Sequence, residues 1–329
     1  MDFTLLPKVE LHLHLDCSLS FGVVKKLDPA VTESEYRQCF TGPPKFSGLA
    51  EYLTRAARSI ELMQTAENLR LVTLDLFEQL QQEGVIYAEI RFAPFEHIQN
   101  GLSPAQVVQA VAQAVEEGAQ TTGIMAGLIL CTLRHYTATQ SLETAKLVEG
   151  FKGSAVAGFD IASDEATYPI DAHVRAFEFA QDKGLNRTAH AGEARGADSV
   201  WEILRYFKPQ RLGHGVRSIE DPALIEELKR QNIHLEICPV SNIQTNVYPQ
   251  IADHPVDRLY RSGVSVSINT DARTICNVTL QEEYELLRTT FQWVQADFLR
   301  CNLNAIGHAF IPETAKAPLL EKLRAAYAR

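Results

Sequence analysis

The chain has 329 residues, of which 46% are apolar, and a net charge of −10. That length suits one large α/β domain with enough buried surface for a substantial core. The acidic balance, with no Lys/Arg run, excludes a nucleic-acid partner, and no apolar run approaches the roughly 18 residues of a membrane span.

Eight short apolar runs alternate with helix-period segments. The first, Val9 to Leu15, contains Leu11-His12-Leu13-His14. On a strand, His12 and His14 share one face while Leu11, Leu13 and Leu15 share the other, where helices pack. From Asp16 to Gly84 the chain is too long for a simple strand-to-helix connection. It reads as helical insertions over the mouth of a barrel, either a lid or extra packing. Leu69, Val72, Leu76 and Leu80 repeat at helical spacing and stop at Gly84. The second run is Val85 to Phe92. Ser103-Pro104 then reads as an N-cap with proline at the first helical position, ahead of Val107, Val108, Val111 and Val115. Ile124 to Leu133, Ala155 to Ile161, Arg187 to Ala191 and Arg211 to His214 are the third to sixth runs. Asp221-Pro222 repeats the capping device before Leu224, Ile225 and Leu228. Ile233 to Cys238 and Val264 to Asn269 complete the eight, and Thr279-Leu280-Gln281-Glu282 matches a capping box. Strands alternating with helices imply a parallel sheet. Eight of them point to a (β/α)8 TIM-type barrel, one hydrolase domain over residues 1–329 with a helical insertion after the first strand. A doubly wound open sheet is the competing topology, but no G-x-G-x-x-G favours it.

Two histidines at the end of a buried strand are costly unless something uses them. Other polar residues end later runs: His190 the fifth, with Glu193 just beyond; His214 the sixth, between Gly213 and Gly215; Asp271 the eighth. In such barrels the chemistry sits at the C-terminal ends of the strands. Three imidazoles and one carboxylate, His12, His14, His190 and Asp271, suit zinc with water completing the site. Such a metal lowers the pKa of its water to about 7, and a nearby acid and imidazole move protons. The composition of the site therefore points to metal-assisted hydrolysis. Six scattered cysteines without a C-x-x-C pair suggest neither a disulfide framework nor a cysteine zinc cage. The start, Met-Asp-Phe-Thr, lacks signal-peptide character, so a reducing cytoplasm is the expected location.

An ordered set of stretches resembles the adenosine deaminase family of the amidohydrolase superfamily: Pro7 to Asp16, Tyr87 to Pro94, Asp160 to Glu165, His190 to Glu193, Gly213 to Gly215, Cys238-Pro239-Val240-Ser241-Asn242 and Asn269-Thr270-Asp271. The resemblance implies zinc-dependent conversion of adenosine and 2′-deoxyadenosine to inosine and ammonia, with one zinc per chain on His12, His14, His190 and Asp271. It implies that Glu193 protonates N1 of the purine, that His214 orients the attacking water and steadies charge, and that Asp271 also accepts the water proton. His14, Asp16 (at the ribose 5′ end) and the Ser163 backbone (at purine N3) are the implied substrate contacts. The implied partner is a small-molecule purine nucleoside. Cytidine-type zinc deaminases use an H-x-E and a P-C-x-x-C pair, which is not the pattern here.

Three positions depart from the family pattern: Cys17 and Ser163 stand where glycine is usual, and Ala272 where an aspartate binds purine N7. Arg273 or a water is the expected substitute for that lost contact. The rival substrates are other 6-aminopurines: adenine, 5′-modified adenosines such as methylthioadenosine, or aminodeoxyfutalosine. A two-metal hydrolase bridged by a carboxylated lysine is a further alternative, but the fourth run holds no lysine. A binding protein that has lost catalysis is a third, against which the complete set of polar residues argues.

Overall fold

The computed structural model describes residue 3 and residues 6–328. The expected domain limits, 1 and 329, lie outside the described residues. Among the described residues there are eight parallel strands: β1 (Lys8–His14), β2 (Val85–Phe92), β3 (Met125–Leu133), β4 (Val156–Ala162), β5 (His190–Ala191), β6 (Arg211–His214), β7 (His234–Ile237) and β8 (Ser265–Ile268). They pair in chain order as two four-stranded sheets, β1 to β4 and β5 to β8. Isolated parallel bridges join the sheets at both seams, Phe159 with Arg187 and Leu13 with Asp271. At the second seam the Asp271 amide donates to the His12 carbonyl at 2.9 Å, and the His14 amide to the Asp271 carbonyl at 2.7 Å. Alternating parallel strands and helices make this the expected α/β TIM-type fold.

The expected strands are all found, but β5 is shorter than Arg187 to Ala191. Near its start, the Phe159 amide donates to the Asn186 carbonyl and the Thr188 amide to the Phe159 carbonyl, which leaves a single bridge rather than a ladder. Helix starts follow the chemistry of their caps. Ser103 and Gln106 form a capping box at Pro104–Thr122, Thr279 and Glu282 form one at Leu280–Phe291, and Asp221 caps Pro222–Gln231. Leu69, Val72, Leu76 and Leu80 line the buried face of Ala66–Gln82.

The long segment after β1 holds four short helices, Phe21–Leu27, Glu33–Cys39, Leu49–Leu53 and Ala56–Leu62. Leu49, Tyr52, Leu53 and Ala56 from the last two wall the cavity at the strand ends. The insertion thus supplies part of the binding cavity as well as packing.

The interior of the ring departs from the branched aliphatic filling usual in such barrels. Glu89, Arg91, Asp160, Arg211 and Glu236 are fully buried there. Burial of this kind is tolerated only with close pairing. Arg91 reaches Asp160 at 2.8 Å and Glu236 at 2.7 Å, and Arg211 reaches Glu236 at 2.7 Å and also pairs with Glu89.

Candidate active site

The predicted residues converge at the C-terminal ends of the strands. His12 and His14 project from the end of β1, His190 from β5 and His214 from the last position of β6, while Asp271 lies three residues beyond β8. The distance from Asp271 Oδ1 to both His12 Nε2 and His14 Nε2 is 3.3 Å, and His14 Nε2 is 3.3 Å from His190 Nε2. Ligands held at the usual zinc distances in a tetrahedron sit about 3.3–3.4 Å from one another. His12 Nε2 is buried with no hydrogen-bond partner, which leaves a lone pair available to an ion. Donor atoms of His12, His190, His214 and Asp271 also lie within 4.8 Å of one another, so His214 stands beside the predicted set. In the ion-pair network joined to these rings, Arg91 and Arg211 pair with three carboxylates, Glu89, Asp160 and Glu236, and the fourth, Asp271, joins through His12. The excess of two negative charges is what one divalent cation offsets. The residues fit a metal ion with nitrogen and oxygen ligands.

Gly213 is required for this convergence. A Cβ there would come within 2.8 Å of His12 Cε1 and 3.2 Å of His190 Cγ, so any side chain displaces the rings. The strand ends also carry backbone strain. Ser163, His214 and Asp271 have φ of 83°, 60° and 64°, in the region L-residues avoid. Ser163→Gly is expected to stabilise the fold by about 1 kcal/mol, the relief of strain less the entropy cost of glycine, read as a rise in Tm.

Glu193 lies behind this cluster, with Oε2 3.6 Å from His214 Nε2. Burial, followed by the charges of Asp271 and Glu165, pushes its pKa well above the ordinary carboxylate value, which favours the protonated acid. Glu165 fixes the loop that carries it, accepting from the amides of Gly192 at 2.8 Å, Glu193 at 3.0 Å and Arg195 at 3.0 Å. His214 is held neutral, mainly by burial, with its pKa well below the usual value. Asn242 Nδ2 lies 3.1 Å from His214 Nδ1 and its Oδ1 3.1 Å from His254 Nε2. With the amide donating to Nδ1, the ring proton of His214 sits on Nε2, toward Glu193 and Asp271. Ser241 Oγ donates to Asp271 Oδ2 at 2.6 Å, which turns Oδ1 toward the ring nitrogens.

Two chambers open above these groups and share His14, Cys17, Leu53, Ala56, Ala162 and Ser163. The inner one, about 50 Å³, touches His190, Glu193, His214 and Asp271. The outer one, about 380 Å³, reaches Asp16. Burial would raise the pKa of Asp16, but His97, with Nε2 3.8 Å from its carboxylate, and the nearby His14 hold it below the ordinary value. The inner wall away from Glu193 is apolar, formed by Cys17, Leu49, Tyr52, Ala272 and Ile275, with the Tyr52 hydroxyl engaged by Cys276 Sγ at 3.2 Å. Arg273 does not take the place of the missing aspartate: it is turned into the protein and bound to Glu10 and Glu83. A larger groove, about 720 Å³, lies elsewhere over Gln210, Asn232 and Phe310 and contains none of these groups.

Arg91, Asp160, Glu165, Ser241 and Asn242 fall within the strand-end motifs, but the motifs give none of them a task, and Glu236 belongs to no motif. Their position in strand-end motifs was the available signal. Their contacts span the ring and have no local periodicity.

The profile of the adenosine deaminase family matches residues 7–326. An adenosine deaminase of Lacticaseibacillus paracasei is 36% identical over 337 residues, covering 100% of this chain and 99% of that protein. Among solved structures, an adenine deaminase from Arthrobacter aurescens superposes with a TM-score of 0.91 at 25% identity, covering 98% of this chain and 100% of that one. An amidohydrolase from Burkhoderia ambifaria with bound zinc gives a TM-score of 0.89 at 24% identity, covering 99% and 93%. With a match over nearly its whole length and relatives above 30% identity end to end, the chain belongs to the adenosine deaminase family.

Proposed function

We propose that this chain is a single-domain, zinc-dependent adenosine deaminase, converting adenosine and 2′-deoxyadenosine with water to the inosine counterpart and ammonia. The observation that carries the reading is a buried acid, Glu193, set beside a ring of imidazoles and one carboxylate, with burial favouring its protonated form. Relatives named adenosine deaminase at full-length coverage support it.

His12, His14, His190 and Asp271 hold the ion, one zinc per chain. Zinc bound there supplies a water acidic enough to act as a nucleophile at neutral pH. Glu193 hands its proton to purine N1, which removes aromatic character from the ring and makes C6 electrophilic. The Nε2–H of His214 points into the cavity and steadies negative charge on the attacking oxygen. Asp271 Oδ2 accepts the proton that oxygen gives up. The new C–O bond forms at C6, the amino group takes the proton held by Asp271 and leaves as ammonia as the C–N bond breaks, and the remaining hydroxyl proton returns to Glu193, which leaves the C6 carbonyl and N1–H of the inosine product. Asp16 contacts the ribose 5′ hydroxyl, and the Ser163 amide faces purine N3. The ligand is a small purine nucleoside, and the cytoplasm is the proposed location. Among the described residues no helix is long and apolar enough to cross a membrane.

A second reading, another 6-aminopurine, is favoured by Ala272 and its apolar wall. Against free adenine stands the outer chamber at Asp16, whose volume suits a sugar. Ammonia release from adenosine, 2′-deoxyadenosine, adenine, methylthioadenosine and aminodeoxyfutalosine, compared by kcat/KM, tests the choice. Adenosine is expected to lead; finding it among the poorest would remove the first reading.

A further inference from the structure

His12 and His190 come from different sheets, β1 and β5, yet share one support. His12 Nδ1 lies 3.0 Å from Glu236 Oε2, and His190 Nδ1 lies 3.1 Å from Asp160 Oδ2. The Arg91 guanidinium reaches both of those same oxygens, Nη2 to Glu236 Oε2 at 2.7 Å and Nη1 to Asp160 Oδ2 at 2.8 Å. Nη2 also donates to the carbonyl of Leu11, the residue before His12, at 2.6 Å. Arg91, Asp160 and Glu236 are fully buried.

An imidazole that donates Nδ1–H to a carboxylate presents a fixed, more basic Nε2 lone pair. The acceptor must itself be fixed and ionised. Glu236 is gripped by two guanidinium groups, Arg91 at Oε2 and Arg211 at Oε1, each 2.7 Å away. Because a guanidinium is a rigid fork, it sets two carboxylates relative to each other, which a lysine ammonium cannot do. Among the described residues no other cation is in contact with both carboxylates; Arg211 meets Glu236 at Oε1, 2.7 Å away, and so bears on His12 alone. An arginine buried only to fill space would be a poor choice where aliphatic side chains serve.

We infer that Arg91 is a positioning residue for the metal centre. By gripping Glu236 and Asp160 together, it sets the tautomer and ring angle of His12 and His190 at once, and with them the affinity of the site for its ion. The inference rests on the reading of those two histidines as ligands.

The test measures zinc affinity by chelator competition, the visible spectrum of the cobalt-substituted protein, and thermal unfolding of the zinc-free form. Arg91→Lys is expected to weaken zinc binding about 10–100-fold and to shift the cobalt d–d bands. Adding Glu236→Gln or Asp160→Asn to it is expected to cost less than the sum of the separate losses, because the guanidinium acts through those carboxylates. Wild-type zinc affinity and cobalt spectrum, with only the unfolding temperature lowered, would overturn the inference and leave Arg91 a prop of the barrel. If Arg91→Lys does not fold, Asp160→Asn and Glu236→Gln decide: each must weaken zinc binding, and an intact affinity in either rejects the shared support. Failure of the ligand reading itself has a different signature, since His12→Ala and His190→Ala would then retain zinc.

Discussion

Glu193→Gln is expected to lower kcat for adenosine by about 10²–10⁴-fold, with zinc content unchanged and KM close to wild type. Glutamine keeps the size of the side chain, and its amide can still donate a hydrogen bond to N1. It cannot transfer a proton, so the ring stays aromatic and C6 stays a poor electrophile. The loss therefore falls on the chemical step and not on binding. Stability separates this from a folding defect. The folded pKa of Glu193 lies above its ordinary 4.5, so the unfolded chain ionises first and the carboxyl costs stability as pH rises past that value. The amide removes that cost, and the variant should unfold at pH 7 at the same temperature as wild type or higher. In wild type the same raised pKa predicts that the alkaline fall in kcat/KM, as Glu193 loses the proton it must deliver, comes at a higher pH than an ordinary carboxylate would give. Unchanged turnover in Glu193→Gln would show that another group is the acid.

Stripping the metal with a chelator is expected to abolish deamination, to be reversed by one equivalent of zinc, and to lower thermal stability. The activity loss follows from the nucleophile, since neither the imidazoles nor the carboxylates can generate it at neutral pH. The stability loss follows from charge. Without the ion, the four carboxylates Glu89, Asp160, Glu236 and Asp271 are balanced by two guanidinium groups, Arg91 and Arg211, neither of which reaches Asp271, and a buried uncompensated charge is far more costly than one at the surface. Zinc held at 1,000 times its Kd adds about 4 kcal/mol by mass action. Calorimetry of the stripped and reloaded protein measures this directly. Full activity in protein that retains less than a tenth of an equivalent of metal would remove zinc from the reaction. Two equivalents needed for activity would instead point to a two-metal hydrolase.

Much of the architecture is legible in the sequence, because its signals are local. A helix start needs only a capping side chain and the residue three beyond it, as at Ser103 with Gln106 and Thr279 with Glu282. The alternation in Leu11-His12-Leu13-His14 is a period of two, so the strand and the common face of its histidines follow together. Boundaries were less legible where partners decide them. β5 shrinks to two residues because pairing at the β4 seam is a single bridge.

The site divides along the same line. By itself the amino-acid sequence singled out the side chains proposed to carry the chemistry, since His12, His14, His190, His214, Glu193 and Asp271 all stand at the ends of apolar runs, where a parallel barrel exposes its working rim. Only the tertiary structure decided what holds them. Arg91 and Glu236 are 145 positions apart, and nothing in the local pattern of either announces the other. The same holds for Arg273, which the chain places next to the site but which the fold turns toward Glu10 and Glu83. A side chain's type and period are properties of its neighbours in sequence. Its direction, its counter-charge and its protonation are set by neighbours in space, and those exist only once the strands have closed around it.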